Sequence, residues 1–315
     1  MATKNFLFMV PVIKVWPVFL MLALVGCQST RSRQAAPPPA VPGQPQVMNP
    51  EVTSPPPAPS DQKKVAVILG PGGAKAFAHI GVLKGLQRLR VPIHKVVGLE
   101  WGALVGGLYA VKGQLHEVEW KLYRMEQAGL PRPKGFFAKK VGDEPAKIMD
   151  PYLNEAFAKE TINRSKVPFT CPSRSIWTGV VAWQNRGSYA DAIRRCLSYP
   201  PVFKAQGTFL AGASQASEAI AQLRSEGYNV IILVNVLGSG MPVAQDSLPD
   251  NLNYVIMWQE VKRALVEAGK QGVDTVTVDT SNYPMVNFAP KKELISLGEA
   301  AGLKAGAALI SKYGF

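Results

Sequence analysis

The chain has 315 residues, 47% hydrophobic and 18% charged, which supplies a core and excludes a charge-driven disordered protein. Three cysteines exclude a disulfide-dense scaffold and a four-cysteine zinc site, and the scarcity of long apolar runs excludes a multi-span membrane protein. Lys and Arg outnumber Asp and Glu by 35 to 22, a formal charge of +13.

The chain opens with a stretch whose only charges before Cys27 are Lys4 and Lys14, with an apolar run from Val15 to Gly26. A basic start followed by such a run has the form of a signal peptide. Leu24-Val25-Gly26-Cys27 resembles a bacterial lipobox, in which the cysteine thiol is acylated and becomes the mature N-terminus. Residues 1–26 are then the signal peptide. The competing reading is an uncleaved anchor helix, because Phe6 to Ile13 is also apolar. Both place the rest of the chain outside the cytoplasmic membrane. The lipobox resemblance further implies, from a residue other than Asp after the cysteine (Gln28), export to an outer membrane, facing the periplasm.

Residues 27–60 hold ten prolines between Pro37 and Pro59, which excludes a helix or a central strand. They read as an extended tether, with ~3 Å of reach per residue where polyproline II forms. Loss of residues 1–26 takes Lys4 and Lys14 from the +13 and leaves +11. For a basic protein outside the cytoplasm the expected anionic partner is a lipid or an envelope protein rather than nucleic acid. The charge is spread along the chain, so a generally basic surface explains it equally well.

From residue 61 to 315 strand and helix alternate. Val65–Leu69 is a continuous apolar run ended by Gly70-Pro71-Gly72-Gly73, the pattern of a buried parallel strand. A helix is predicted from Ala74 to Arg90, a strand over Lys95–Gly98 and a helix from Trp101 to Val111. Residues 114–128 and 145–159 read as helical, Val167–Cys171 and Ile176–Trp183 as extended. A helix over Tyr189–Leu197, a short strand over Thr208–Leu210, a helix over Ser214–Arg224 and a strand over Val230–Val234 follow. A helix over Leu252–Lys270, a strand over Thr275–Val278 and a helix over Lys291–Lys312 finish the chain. The order predicts one α/β domain with a mostly parallel central sheet flanked by helices.

Three segments carry a resemblance. Leu69-Gly70-Pro71-Gly72-Gly73-Ala74-Lys75, continuing through Ala78-His79-Ile80-Gly81-Val82-Leu83, joins a strand to a glycine loop, a basic residue and a helix. Val97-Gly98-Leu99-Glu100-Trp101-Gly102 runs into a small-residue helix, and Gly187 to Phe203 gives a helix and a Tyr199-Pro200-Pro201 turn. In this order and spacing they resemble the patatin-like phospholipases, and the likeness extends over 61–315. The resemblance implies that the loop amides form an oxyanion hole, that Gly98-Leu99-Glu100-Trp101-Gly102 is the nucleophile elbow, and that acyl esters are cleaved by a Ser–Asp dyad. It also brings the elements of Cys171 and Cys196 close. These two cysteines form either a disulfide, worth ~3 kcal/mol across such a loop, or two buried thiols.

The departures bear on activity. Glu100 stands where the family has serine, and Ala211 of Ala211-Gly212-Ala213 stands where it has the aspartate. Pro71 replaces a loop glycine and has no N–H to donate. No side chain of the dyad is intact, which predicts a pseudoenzyme.

A carboxylate at a helix N-terminus is favoured by unpaired amides. Glu100 is therefore expected to plug the old oxyanion hole, with Lys75 nearby. The alternative is a general base for another hydrolysis. Trp101 reads as pocket filling, or else as a platform for a ligand. Ser214 mimics an elbow, but a helix cap explains it. His79 reads as a packed structural histidine, His94 precedes a strand and His116 faces solvent. No metal set or cofactor motif appears. Three functions remain: an inactive, membrane-tethered lipoprotein that binds a lipid or assembles envelope proteins; a divergent acyl hydrolase with a non-standard nucleophile; or an interaction module with a filled pocket.

Overall fold

A computed structural model describes residues 63–125, 145–238 and 252–315. Cys27, the signal segment, the tether and the end of the helix expected over 114–128 lie outside the described residues.

The mixed α/β fold has a central, mostly parallel sheet flanked by helices. Strand β1 (Val65–Leu69) is buried at every residue and pairs in parallel with β2 (Lys95–Gly98) and β6 (Val230–Asn235). Burial on both faces explains why β1 and β6 are continuous apolar runs rather than alternating ones. β7 (Asp274–Thr277) extends one side in parallel, and β3 (Phe169–Ser175) extends the other. β4 (Val181–Gln184) and β5 (Phe209–Ala211) both pair antiparallel with β3. Ser173 pairs with Ala182 of β4 and with Ala211 of β5, so these strands lie on opposite edges of β3. β5 therefore continues the sheet beyond the carboxyl end of β2, which brings Ala211 toward the segment that follows Gly98.

The helices are α1 (Phe77–Arg88), α2 (Trp101–Lys112), α3 (Leu115–Arg124), α4 (Asp150–Phe157), α5 (Tyr189–Leu197), α6 (Ala216–Ser225), α7 (Leu252–Gly269) and α8 (Lys291–Tyr313). Several boundaries differ from the sequence reading. The helix expected from Ala74 starts with a 3₁₀ turn over Gly73–Ala76 before α1. The one expected over 145–159 also opens with a 3₁₀ turn, Ala146–Met149, and becomes α-helical at Asp150-Pro151. The largest change is at β3, which continues through Ser175. Gly179, with φ of 71°, donates to the Ser175 carbonyl at 2.9 Å and turns the chain back into β4. Polar Ser173, Arg174 and Ser175 hid this strand end from hydrophobic patterning.

Cys171 in β3 and Cys196 in α5 are joined by a disulfide that ties the helix to the sheet. By length and mean hydropathy (1.3) α8 could cross a membrane, but it packs along α1. The contact runs backbone to backbone. A Cβ on Gly81 would lie 1.9 Å from the Ile295 carbonyl oxygen, and one on Gly298 would lie 1.9 Å from that of Ala78. No rotamer relieves such a clash, because backbone atoms make it. Gly81→Ala is therefore expected to destabilise the protein by about 3 kcal/mol or more, read by thermal or denaturant unfolding. An unchanged midpoint would show that the two helices are not in backbone contact.

Candidate functional site

The site lies at the carboxyl ends of β1 and β2, the central strands, where α/β sheets expose loop backbone. β1 delivers the Gly70–Gly73 loop, and β2 delivers Leu99-Glu100 into α2. Glu100 has φ of 51° and ψ of −122°, a strained conformation for a non-glycine residue and the one a sharp strand-to-helix elbow requires. The flanking glycines are needed for close approach. A Cβ on Gly102 would sit 2.2 Å from the Leu69 carbonyl oxygen, and one on Gly98 would sit 2.3 Å from the Ala103 Cα.

The elbow points Glu100 into the glycine loop. Its Oε2 accepts hydrogen bonds from the backbone N–H groups of Gly72 at 2.9 Å, Gly73 at 3.0 Å and Trp101 at 2.7 Å. The carboxyl group is fully buried, and Oε1 has no hydrogen-bond partner. Burial drives the Glu100 pKa up from 4.5 to about 7, against the amides of Gly72, Gly73 and Trp101, which favour the ionised form. Pro71 offers no N–H, but Gly72 and Gly73 still aim two donors at the residue-100 position, so the proline costs the loop less than the sequence implied.

Lys75 does not join Glu100. Its ammonium donates to the Leu237 carbonyl at 3.3 Å. Burial and the charge of Lys262 lower its pKa to about 8, with Asp279 opposing. Trp101 is buried, stacks on Phe203 at 6.0 Å between ring centroids and meets Phe288 at 4.8 Å. The ring fills space; its Nε1 is buried without a partner. His79 is fully buried and its Nε2 donates to the Gly70 carbonyl at 2.7 Å, which fixes the start of the loop. Burial lowers the His79 pKa to about 4, so the ring stays neutral. His94 accepts the Val65 N–H through Nδ1 at 2.9 Å, and His116 is exposed. Among the described residues no cluster of His, Cys, Asp or Glu could hold a metal.

Ala211 ends β5, buried, and its N–H bonds the Ser198 carbonyl at 2.9 Å. It presents only a methyl group. Ser214 does not cap α6. The cap position is Gln215, with no side-chain cap bond, and the Gln215 amide donates to Ser214 Oγ at 3.1 Å. A loop serine and a helix cap look alike in sequence, because both precede the same apolar periodicity.

Sequence reasoning missed Tyr199, Met285 and Phe288. Burial and the nearby Glu100 charge push the Tyr199 pKa up, with Arg174 opposing, so its phenol lies within electrostatic reach of both. The Met285 carbonyl accepts the Ala74 N–H at 2.7 Å and pins the loop from outside. The segment carrying Met285 and Phe288 has no periodicity that would reveal this. A cavity of about 480 Å³ opens between the β3–β4 turn and the Ala211 turn, with Arg174, Trp177, Tyr199, Ala211 and Ser214 in its lining.

Glu100 and His79 make opposed predictions for pH dependence. The raised Glu100 value means that its contribution to stability is fully present below pH 4.5 and is lost as pH rises to about 7. The lowered His79 value means that its contribution is present above pH 6.5 and is lost as pH falls to about 4. The two slopes offset one another between those limits. Glu100→Gln keeps an oxygen for the three amides and removes the carboxylate. It should be more stable than the parent at pH 8, by roughly 3 kcal/mol from the displacement of the pKa, and should lose that advantage by pH 5. Equal midpoint differences at both pH values would show that Glu100 is ionised throughout.

Residues 67–217 match the patatin family, described as patatin-like phospholipase. The chain is 28% identical over 203 residues to an uncharacterized NTE family protein of Mycobacterium bovis, covering 61% of this chain and 54% of that one. It is 25% identical over 185 residues to lysophospholipase NTE1 of Coccidioides immitis, covering 55% of this chain and 12% of that one. The chain thus spans about half the length of the mycobacterial relative and a smaller share of the fungal one. Among solved structures, VipD from Legionella pneumophila aligns with a TM-score of 0.42 at 11% identity, covering 78% of this chain and 67% of that one. The family match takes in the glycine loop, the elbow and the Ala211 turn, so residues 67–217 carry a patatin-like phospholipase domain.

Proposed function

We propose that this patatin-like domain no longer cleaves esters through the family's dyad, and that it serves the cell envelope as a membrane-tethered lipid- or protein-binding component. The observation that carries the reading is the Glu100 carboxylate seated on the Gly72 and Gly73 amides. Those donors would otherwise be free for the oxyanion of an acyl-transfer intermediate. A carboxylate in their place repels a second anion, and attack by it would give an anhydride rather than an ordinary ester. The Ala211 methyl supplies no proton acceptor. The cavity beside Ala211 and Tyr199 leaves room for a ligand where catalysis has lapsed. In this reading lipidated Cys27 and the proline tether hold the domain at the periplasmic face of the outer membrane.

A second reading is a divergent lipid acyl hydrolase. It is favoured by the lysophospholipase name of the fungal relatives and by a buried Glu100 that titrates at about 7, in the range suited to a general base.

Hydrolysis of a short-chain acyl ester by the purified protein, run beside Glu100→Ala, separates the two. The expected outcome is no turnover above buffer from either protein. Turnover abolished by Glu100→Ala would make Glu100 catalytic and sink the binding reading. Turnover indifferent to Glu100 would move the search to Ser214.

A further inference from the structure

The turn between β3 and β4 exposes large apolar side chains, with nothing among the described residues packed over them. Ile176 is 50% exposed, Trp177 79% and Val180 63%. Phe209 of β5, 39% exposed, belongs to the same surface, because Phe209 pairs with Ser175 and the Ile176 N–H bonds the Thr208 carbonyl at 2.8 Å. Two independent strands thus bring their apolar residues to one projecting edge at the carboxyl end of the sheet. Isolated exposed apolar residues are ordinary, but a contiguous group around a tryptophan marks a contact surface.

Charge decides which contact. From Lys166 to Gln215 the chain carries six basic residues (Lys166, Arg174, Arg186, Arg194, Arg195 and Lys204) and one acid, Asp191. Arg194 is held by Asp150 and Asp191. The other five are exposed, and no carboxylate pairs with them among the described residues. Of these, Arg174 leads into the turn and Lys204 lies shortly before β5, whereas Lys166 and Arg186 lie at the other end of β3. A second copy of the chain would bring the same cations against this edge. Tryptophan with aliphatic neighbours and an uncompensated arginine beside it, Arg174, fits the boundary between acyl chains and anionic headgroups.

We infer that the β3–β4 turn seats the domain on an anionic lipid surface, with Ile176, Trp177 and Val180 entering the headgroup boundary and Arg174 meeting lipid phosphate. The contact places the cavity behind the turn, lined by Tyr199, Ala211 and Ser214, against the bilayer. It deepens the proposal that the protein works at a membrane, and it does not depend on lipidation of Cys27 or on the fate of catalysis.

The test uses the full chain with Cys27→Ser, so that lipidation is absent, and Thr178→Cys carrying an environment-sensitive fluorophore. A reference protein carries the same label at Lys270→Cys, which precedes β7 at the opposite end of the sheet. The probes are vesicles of phosphatidylglycerol and vesicles of phosphatidylcholine. The expected result is a blue-shifted emission of the Thr178 label on phosphatidylglycerol alone, weakened by salt, with the Lys270 label unchanged. Ile176→Ser with Trp177→Ser should move that response to at least about tenfold higher lipid or abolish it. A silent Thr178 label, or equal responses from both labels, would overturn the inference even if the N-terminal segment holds the chain on the vesicle. A blue shift that grows with protein concentration without lipid would overturn it in favour of a second copy of the chain.

Discussion

One carboxylate oxygen, Glu100 Oε2, gathers three backbone N–H groups from two segments that are separate in sequence. Gly72 and Gly73 belong to the loop after β1; Trp101 opens α2 after β2. Without an acceptor, these donors would be buried and unpaired, each at a cost of about 1–3 kcal/mol. Glu100 therefore closes the carboxyl edge of the two central strands. Its own expense is the buried, unpartnered Oε1, which is the physical root of the raised pKa. Protonation of Oε1 would remove the buried charge while Oε2 continued to accept the amides.

The neighbourhood is consistent with that closure. Trp101 follows Glu100 and lays its ring between Phe203, beyond the proline turn, and Phe288, before α8. The Met285 carbonyl takes the Ala74 N–H and His79 takes the Gly70 carbonyl, so the loop is held at both ends as well as at its middle. Trp258 of α7 donates to the Pro200 carbonyl at 2.8 Å and packs edge-on against Tyr199 at 5.2 Å. Each contact couples a loop at this edge to a helix or strand, so rigidity at the site comes from several directions in the sequence.

What was legible in the sequence follows from what each signal measures. Val65–Leu69 and Tyr189–Leu197 were found at their observed bounds, because continuous burial and strong amphipathicity leave a pattern in hydrophobicity alone. The meeting of Glu100 with Gly72 and Gly73 was legible because a motif spacing fixes both ends of it. The direction of Lys75 was not, since a long side chain can reach several acceptors and the Leu237 carbonyl is 162 residues away. Tyr199 was hidden for a similar reason. Its place near Glu100 depends on how β5 continues the edge of β3, a tertiary fact with no local trace. The seam of Gly81 and Gly298 between α1 and α8 was also missed. Glycines lower helix propensity, and only the opposing backbone shows why they are there.

The elbow also separates shape from chemistry. Its strained φ and its two glycines are usually read as signs of a nucleophile, yet here they surround a carboxylate that is already hydrogen-bonded three times. The glycine contacts explain why the geometry persists. Gly102 lies against the Leu69 carbonyl and Gly98 against Ala103, so the sharp turn is what lets α2 descend onto β1 and β2 at all. Relaxing the turn would lift a helix that is buried along eleven of its twelve residues and would open the core beneath it. The strain at residue 100 is thus sustained by packing that has no need of a reactive side chain. Glutamate at residue 100 fits that packing and gives the amides of Gly72, Gly73 and Trp101 a partner. An elbow is accordingly evidence for how this sheet and helix meet, and evidence for catalysis only when the residue at its apex can leave the amides free.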